Sequence, residues 1–251
     1  MNIYIPGQDA RMQALKEEAL ARGHTLTDAA YCDAGVLPLP DSGEAFIHLL
    51  PLSGGNRLIL HGRLHGDQAG ILSDRGWRLK NIQEDEDYIQ KNALISAEGA
   101  LFAAMQKTDM TLRDAKCAVV GYGRIGKELT RLLLSLNARV NVVARRESAR
   151  LQAVWAGAHA YDIEHLPQAL SGVQILFNTI PSQVIDAQAL GALSAKAVIL
   201  DLASPPYGLD LNLAREMGFD ATIESGIPSR YAPRSAARLL MTYLEAGDTH
   251  G

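Results

Sequence analysis

Cysteine is scarce. Cys32 and Cys117 are the only two in 251 residues, and they stand too far apart in number and spacing for a disulfide framework or a four-ligand zinc site. Cys117 lies in an apolar run, where a free thiol reads as a small, inert core residue. A basic excess is also missing. The formal net charge is -4, which argues against a surface built to displace counterions from nucleic acid. Long apolar runs are absent: no segment approaches the roughly 20 residues that a membrane span requires. The opening residues carry neither the basic start nor the apolar stretch of a signal peptide. No nucleic acid, no membrane and a cytoplasmic location are therefore expected. Repeats, heptads and low-complexity tracts are missing too, and no metal-ligand spacing is visible, so no metal is expected.

What is present is an ordinary globular composition, 47% apolar and 21% charged, in a chain long enough for two α/β units. Residues 2–5 read as a strand ending at Pro6-Gly7. Asp9 is placed to cap a helix with Met12, Leu15, Ala19 and Leu20 on one face, stopped by Gly23. Residues 45–50 and 57–60 read as further strands around Ser53-Gly54-Gly55, residues 35–41 as a loop, and 61–79 gives no clear pattern. An acidic opening at 84–87, with Asp85 or a neighbour as cap, leads into a long helix reaching about Met105.

From Lys116 the alternation is clean. Strands are expected at 117–120, 140–144, 159–161, 175–179, 198–202 and 221–223, with helices at 124–136, 148–156, 164–170, 187–193 and 211–217. Strands joined by helices imply a mostly parallel sheet, because parallel strands need crossover connections. A last helix over 233–246 starts at Pro233. The fold class is α/β: a Rossmann-type doubly wound parallel sheet with a smaller N-terminal α/β domain. The expected division is 1–92 for an N-terminal substrate-side domain and 93–232 for a dinucleotide-binding domain. Residues 233–251 form a C-terminal helix that could pack back on the first domain.

The chemistry centres on Gly121-Tyr122-Gly123-Arg124-Ile125-Gly126. Among 22 glycines such a motif alone is weak, but here it follows an apolar strand and opens an amphipathic helix. Gly121 makes the tight turn, Gly123 lets backbone approach a pyrophosphate, and Gly126 permits close helix–strand packing. Free N–H groups and the helix dipole then face the anion. At the end of the next strand, where NAD sites place Asp or Glu, this chain has Ala144-Arg145-Arg146. A guanidinium can grip a 2′-phosphate, so NADP(H) is the expected cofactor; the alternative is a solvated basic loop. Asn178, Thr179 and Pro181 follow the fourth strand of this domain, and Asp201 the fifth. Both segments lie at the carboxyl edge where ligands bind, although Asn, Ser and Pro are also ordinary turn residues.

Several blocks taken together resemble one family. They are Gln8-Asp9-Ala10-Arg11, Ser96-Ala97-Glu98-Gly99, Gln106-Lys107-Thr108-Asp109, Asn178-Thr179-Ile180-Pro181-Ser182, Asp201-Leu202-Ala203-Ser204 and Gly226-Ile227-Pro228 with Ala232-Pro233. In this order they resemble the dinucleotide-binding A subunits of dipicolinate synthase, sporulation enzymes of endospore-forming bacteria on a branch of the lysine pathway. The resemblance covers nearly the whole chain and is strongest over residues 92–240. It implies that dihydrodipicolinate is oxidised to dipicolinate (pyridine-2,6-dicarboxylate) together with a flavoprotein-like B subunit. It also implies a nucleotide domain similar to those of 2-hydroxyacid dehydrogenases. The chain looks somewhat short for that family. It has Gly226-Ile227-Pro228-Ser229 and Pro205-Pro206-Tyr207-Gly208 where Gly-Leu-Pro-Gly and a Pro-Gly-Gly turn are common.

Such a reaction removes a hydride equivalent and a proton from a dicarboxylate. Arg11 is the first candidate for a substrate carboxylate, with Arg230 and Arg234 as further cations; each could equally be a surface arginine. Glu98, an acid within an apolar helical stretch, is a candidate general base or a structural partner. Ser96 and Asn92 on the same helix could hydrogen-bond substrate. His48, His61 and His65 suggest no catalytic set, and no histidine stands near the last helix where a hydroxyacid dehydrogenase would show one. Two alternatives stay open. One is an NADPH-dependent reductase of a small 2-oxoacid. The other is a non-catalytic nucleotide-binding subunit whose partner carries a flavin. A homo-oligomer is expected.

Overall fold

The computed structural model describes residues 1–248. The chain divides into two units, one made of residues 1–92 with the segment from 228 onward, the other of residues 93–227.

The first unit opens with strand β1 (Asn2–Tyr4) and helix α1 (Ala10–Ala21). Helix α1 starts where it does because the Asp9 carboxylate accepts from the N–H groups of Arg11 and Met12, at 2.9 and 3.3 Å. There follow β2 (Thr25–Leu26), β3 (Ala34–Val36), α2 (Glu44–His48), β4 (Leu58–His61), α3 (Gln68–Asp74), β5 (Arg78–Asn81) and the opening turns of α4 (Glu86–Lys107), whose residues from 93 onward belong to the second unit. All five strands are parallel, in the order β2-β1-β3-β4-β5. Strand order therefore reverses between β1 and β3, and the crevice outside their carboxyl ends is where such a sheet receives ligands. One face of the sheet, with Ile3, Val36, Leu58 and Leu60, packs on Met12, Leu15 and Ala19 of α1. Leu20, expected on that stripe, is instead 55% exposed. The opposite face gathers Tyr4, Leu37, Ile47, Ile59, Leu72 and Trp77.

Besides Leu20, two sequence expectations fail in this unit, and one stretch that gave no pattern proves to be ordered. Residues 45–50 are not a strand: Glu44–His48 is a short helix, and Ile47 and Leu50 are buried while Leu49 is 61% exposed. A run of six mostly apolar residues suits either state, and only tertiary packing chooses between them. Residues 35 and 36, expected in a loop, belong to β3, where Gly35 leaves room for Ile59 Cδ1, which would stand 2.7 Å from any Cβ there. The patternless stretch contains α3 and the first two residues of β5. Strand β5 reads Arg-Leu-Lys-Asn because it is a half-buried edge strand.

The second unit contains β6 (Lys116–Val120), α5 (Arg124–Ser135), β7 (Arg139–Val143), α6 (Glu147–Trp155), β8 (His159–Tyr161), α7 (Leu166–Leu170) and β9 (Ile175–Asn178). It continues with α8 (Ala187–Gly191), β10 (Val198–Asp201), α9 (Leu211–Glu216) and β11 (Asp220–Ile223). Its six parallel strands are ordered β11-β10-β9-β6-β7-β8, the doubly wound Rossmann arrangement with its switch point between β6 and β9. Strands β6, β9 and β10 are buried at nearly every position, as strands covered on both faces must be. Helix α5 seats Gly126, Leu129, Thr130 and Leu133 against the sheet.

Helices α10 (Ile227–Tyr231) and α11 (Pro233–Asp248) end the described chain. Ala237, Leu240, Met241 and Leu244 of α11 are fully buried in the same core as Ile3, Met12 and Leu15, so α11 is part of the first unit. Among the described residues no helix is long and apolar enough to cross a membrane. No group of three or more His, Cys, Asp or Glu among them is arranged to hold a metal ion.

Candidate functional site

The glycine loop leaves the carboxyl end of β6 at the switch point of the second sheet. Gly121 has φ +101 and its N–H donates to Val143 O at 2.9 Å. A side chain there would overlap Thr179 Oγ1 and stand 2.9 Å from Ile180 Cγ1, so both conformation and space demand glycine. A Cβ at Gly126 would overlap the Gly121 carbonyl oxygen, and the Gly126 carbonyl accepts from the buried Thr130 hydroxyl at 2.7 Å. Gly123 differs. A Cβ there would meet nothing within 4 Å, and as N-cap of α5 it brings no side chain to the first-turn N–H groups. The loop thus combines two glycines that hold its shape with one that leaves space before an uncapped helix start. These residues fit the pyrophosphate of a dinucleotide. Arg124 is exposed at the first position of α5 and Ile125 is half-buried.

Opposite the loop, Thr179 hydrogen-bonds Val120 O through its N–H at 2.8 Å and its hydroxyl at 3.1 Å. The structure therefore brings Gly121, Gly126 and Thr179 together. Asn178 and Asp201 are fully buried and turned to each other. Asn178 Nδ2 donates to Asp201 Oδ1 at 2.8 Å and to Ile180 O at 3.0 Å, while its Oδ1 accepts from Ile180 N–H at 3.1 Å. The Asp201 carboxylate also takes the N–H groups of Ala203 and Gly208, at 2.9 and 2.7 Å. These side chains shape the loops after β9 and β10. Pro181 lies exposed beyond them.

Arg145 and Arg146 are exposed at the end of β7, the strand beside β6, and neither guanidinium has a partner among the described residues. Arg150, which sequence reasoning passed over, fixes this turn: its Nη1 donates to Ala144 O at 2.8 Å and Arg145 O at 2.7 Å, and it pairs with Asp162. An arginine one helical turn beyond a basic pair was its only sequence signal.

In the first unit Arg11 is 7% exposed. Its Nη2 donates to Leu39 O at 2.5 Å, its Nε is buried without a partner, and no carboxylate pairs with its guanidinium among the described residues. Its backbone N–H is shared between Asp9 and Ser229 Oγ, and Ser229 Oγ donates to Asp9 Oδ1 at 2.8 Å. Ser229 thereby ties α10 to the start of α1. Arg230 and Arg234 are exposed, and Arg230 lies over the Tyr231 ring at 5.0 Å.

On α4, Ser96 is 4% exposed and Asn92 is half-buried. Glu98 is a correction. It is exposed, because the buried stripe of α4 runs through Ala93, Ala97, Ala100, Leu101 and Ala104 and Glu98 lies off it. The burial that would make it a general base is absent. Cys117 is inert, its thiol pushed up to about 12 by burial.

A doubly wound sheet with this loop at its switch point defines a nicotinamide-dinucleotide-binding protein of the Rossmann class. Residues 110–209 match a family described as putative NAD(P)-binding. The chain is, further, similar to the A subunit of dipicolinate synthase. That of Bacillus subtilis (strain 168) is 32% identical over 167 residues, 66% of this chain and 56% of that protein; the match thus spans little more than half of the relative's length. The crystal structure of the corresponding dipicolinate synthase protein from Bacillus halodurans superposes with a TM-score of 0.81 at 26% identity, over 98% of this chain and 96% of that one. The crystal structure of the Bacillus subtilis protein gives 0.82 at 23% identity, over 100% and 96%. The resemblance seen in the sequence blocks is shown.

Proposed function

We propose that this chain is the NADP(H)-binding component of a dipicolinate synthase, oxidising dihydrodipicolinate to dipicolinate beside a flavoprotein-like B subunit. The observation that carries the reading is the pairing of an open Gly123 with two unengaged arginines at the end of β7, in a chain similar to the A subunit of dipicolinate synthase.

Gly121 and Gly126 hold the shape of the loop, and the first-turn N–H groups of α5 beyond the open Gly123 hold the pyrophosphate. Arg145 and Arg146 take the 2′-phosphate, which a carboxylate at that position would repel. Thr179, Asn178 and Asp201 hold the wall opposite the loop. When bound, NADP+ supplies the acceptor for the hydride equivalent that aromatisation of the ring releases.

Arg11 receives a substrate carboxylate. A guanidinium this buried, with no acidic partner, is costly unless an anion completes it. A dicarboxylate supplies such an anion, and Arg is suited to grip it through two parallel hydrogen bonds. Ser96 and Asn92 are neutral groups suited to orient the ring nitrogen or the second carboxylate.

The test combines this chain, the B subunit, dihydrodipicolinate and NADP+. Dipicolinate is expected with the wild-type chain and is lost in Gly123→Asp, which fills the open space with a like charge. No product from the wild-type chain overturns the reading.

A further inference from the structure

At the carboxyl edge of the first sheet a buried cation spans the crevice that strand order opens. Arg11 stands in the first turn of α1, which follows β1, and its Nη2 reaches Leu39 O in the loop after β3 at 2.5 Å. Those two strands flank the switch point of this sheet. One N–H of the guanidinium is used in that bond, of the five it carries. The acids at the starts of α1 and α4 are engaged elsewhere. Asp9 takes the backbone N–H groups of Arg11 and Met12 and the Ser229 hydroxyl. Asp85 takes the Tyr88 N–H and Lys80, and Asp87 takes Lys91 and the Tyr243 hydroxyl.

A second donor lies beside this cation. Tyr88, in the first turn of α4, is 4% exposed and shares one core with Met12 and Leu15 of α1. Its ring meets that of Tyr243 edge to face, with centroids 5.6 Å apart and planes at 89°. The Tyr88 N–H, bonded to Asp85 at 3.0 Å, fixes the backbone below it. The hydroxyl itself has no hydrogen-bond partner among the described residues. Arg11 Nε is sealed from solvent without a partner, whereas the Tyr88 hydroxyl is not among the sealed atoms.

We propose that Tyr88 is a second binding residue for the substrate carboxylate that Arg11 receives, so that the first unit carries a complete carboxylate subsite without the nucleotide. This rests on the role given to Arg11 above and needs no residue of the second unit. One carboxylate oxygen accepts from the guanidinium and the other from the hydroxyl. Both are hydrogen bonds to an ionised acceptor, roughly twice as strong as neutral ones, and each donor gains the partner that its burial demands. One cation matches the single charge of a carboxylate rather than the double charge of a phosphate.

The electrostatics keep the phenol a donor. Burial pushes the Tyr88 hydroxyl above its ordinary value, and the nearby Arg11 guanidinium only partly offsets this. At neutral pH the hydroxyl therefore holds its proton and no phenolate neutralises the arginine.

The test titrates pyridine-2,6-dicarboxylate into the full chain, labelled with 13C at tyrosine Cζ, without nucleotide or B subunit. Saturable binding is expected, with a shift of the one resonance that Tyr88→Phe removes. Tyr88→Phe deletes a hydroxyl that nothing else in the chain uses. It should weaken binding about tenfold, with melting temperature and NADPH affinity unchanged. Arg11→Gln should weaken binding on the order of 100-fold. Equal affinity in wild type and Tyr88→Phe, or binding that requires NADPH, overturns the proposal. Displacement by equimolar inorganic phosphate also overturns it, because the set would then be a general anion site. Loss in Arg11→Gln without loss in Tyr88→Phe removes Tyr88 alone and leaves the role of Arg11 standing. Undiminished binding in a folded Arg11→Gln, or no binding with or without NADPH, overturns the role of Arg11 itself.

Discussion

Asn178 and Asp201, the last residues of neighbouring strands β9 and β10, are joined side chain to side chain at 2.8 Å with no solvent exposure of either. The pair closes the carboxyl edge of the sheet beside the glycine loop. Asp201 accepts from one hydrogen of Asn178 Nδ2, whose other donor direction reaches Ile180 O, and from the N–H groups of Ala203 and Gly208. Asp201→Ala takes the acceptor from all three donors and should cost about 3 kcal/mol or more, by the usual penalty for orphaned groups. Urea denaturation at neutral pH measures it. A loss below about 1 kcal/mol would mean that water replaces the carboxylate at little cost.

The glycines of the loop should separate by what they do. Gly126→Ala drives a methyl into the Gly121 carbonyl, and Gly121→Ala adds an unfavourable φ to a clash with Thr179. Both should lower the melting temperature by several degrees, as about 1–3 kcal/mol of strain would. Gly123→Ala enters open space and should leave the melting temperature within about a degree while weakening NADPH binding at least about tenfold, by obstructing backbone approach to the pyrophosphate. Paired calorimetry and titration of the three variants would show it; equal melting losses for all three would contradict it.

Arginines 145, 146 and 150 divide in the same way. Arg145→Ala with Arg146→Ala should weaken NADPH binding on the order of 100-fold, about what two charge-assisted hydrogen bonds supply, and leave NADH binding and stability unchanged. Arg150→Ala should destabilise the turn after β7, because it holds Ala144, Arg145 and Asp162. Fluorescence titration with both nucleotides checks the first claim and thermal melting the second.

Acid should act through Asp85. Its carboxylate caps α4 by accepting from Tyr88 N–H at 3.0 Å and pairs with Lys80 at 3.0 Å. Burial alone would raise the Asp85 carboxyl, but the Tyr88 N–H and Lys80 together hold it below its ordinary value. A carboxyl whose folded pKa is lowered contributes stability that is complete above its unfolded value, about 4. That contribution is lost as pH falls through the lower folded value. Asp85→Asn should therefore flatten the acid end of the stability profile, and Asp85→Ala should cost about 1 kcal/mol at neutral pH. An unchanged acid slope in Asp85→Asn would place the pH dependence elsewhere.

Much of the second unit is legible in the sequence, because buried parallel strands are written as short apolar runs such as Cys117-Ala118-Val119-Val120 and each is followed by a helix signal. The first unit is harder to read. Gly35 disguises β3, Arg78 and Lys80 disguise an edge strand, and Ala45-Phe46-Ile47 reads equally as strand or helix. At the site, Gly121 and Gly126 could be read because each answers a local demand of backbone or space, and Gly123 because the motif leaves room before the helix start. The Asn178–Asp201 bond could not, since it joins residues 23 apart in sequence. Nor could the exposure of Glu98, which depends on which stripe of α4 is buried, or the approach of Tyr88 to Arg11, which depends on how the start of α4 packs.

The central claim is that this chain binds NADP(H) and that the nucleotide takes part in making dipicolinate. It is tested most directly by following NADPH absorbance and dipicolinate together when NADP+ and dihydrodipicolinate are mixed with this chain and the B subunit. Equimolar appearance of the two is predicted, abolished in Gly123→Asp. Dipicolinate formed while NADP+ stays oxidised would contradict it.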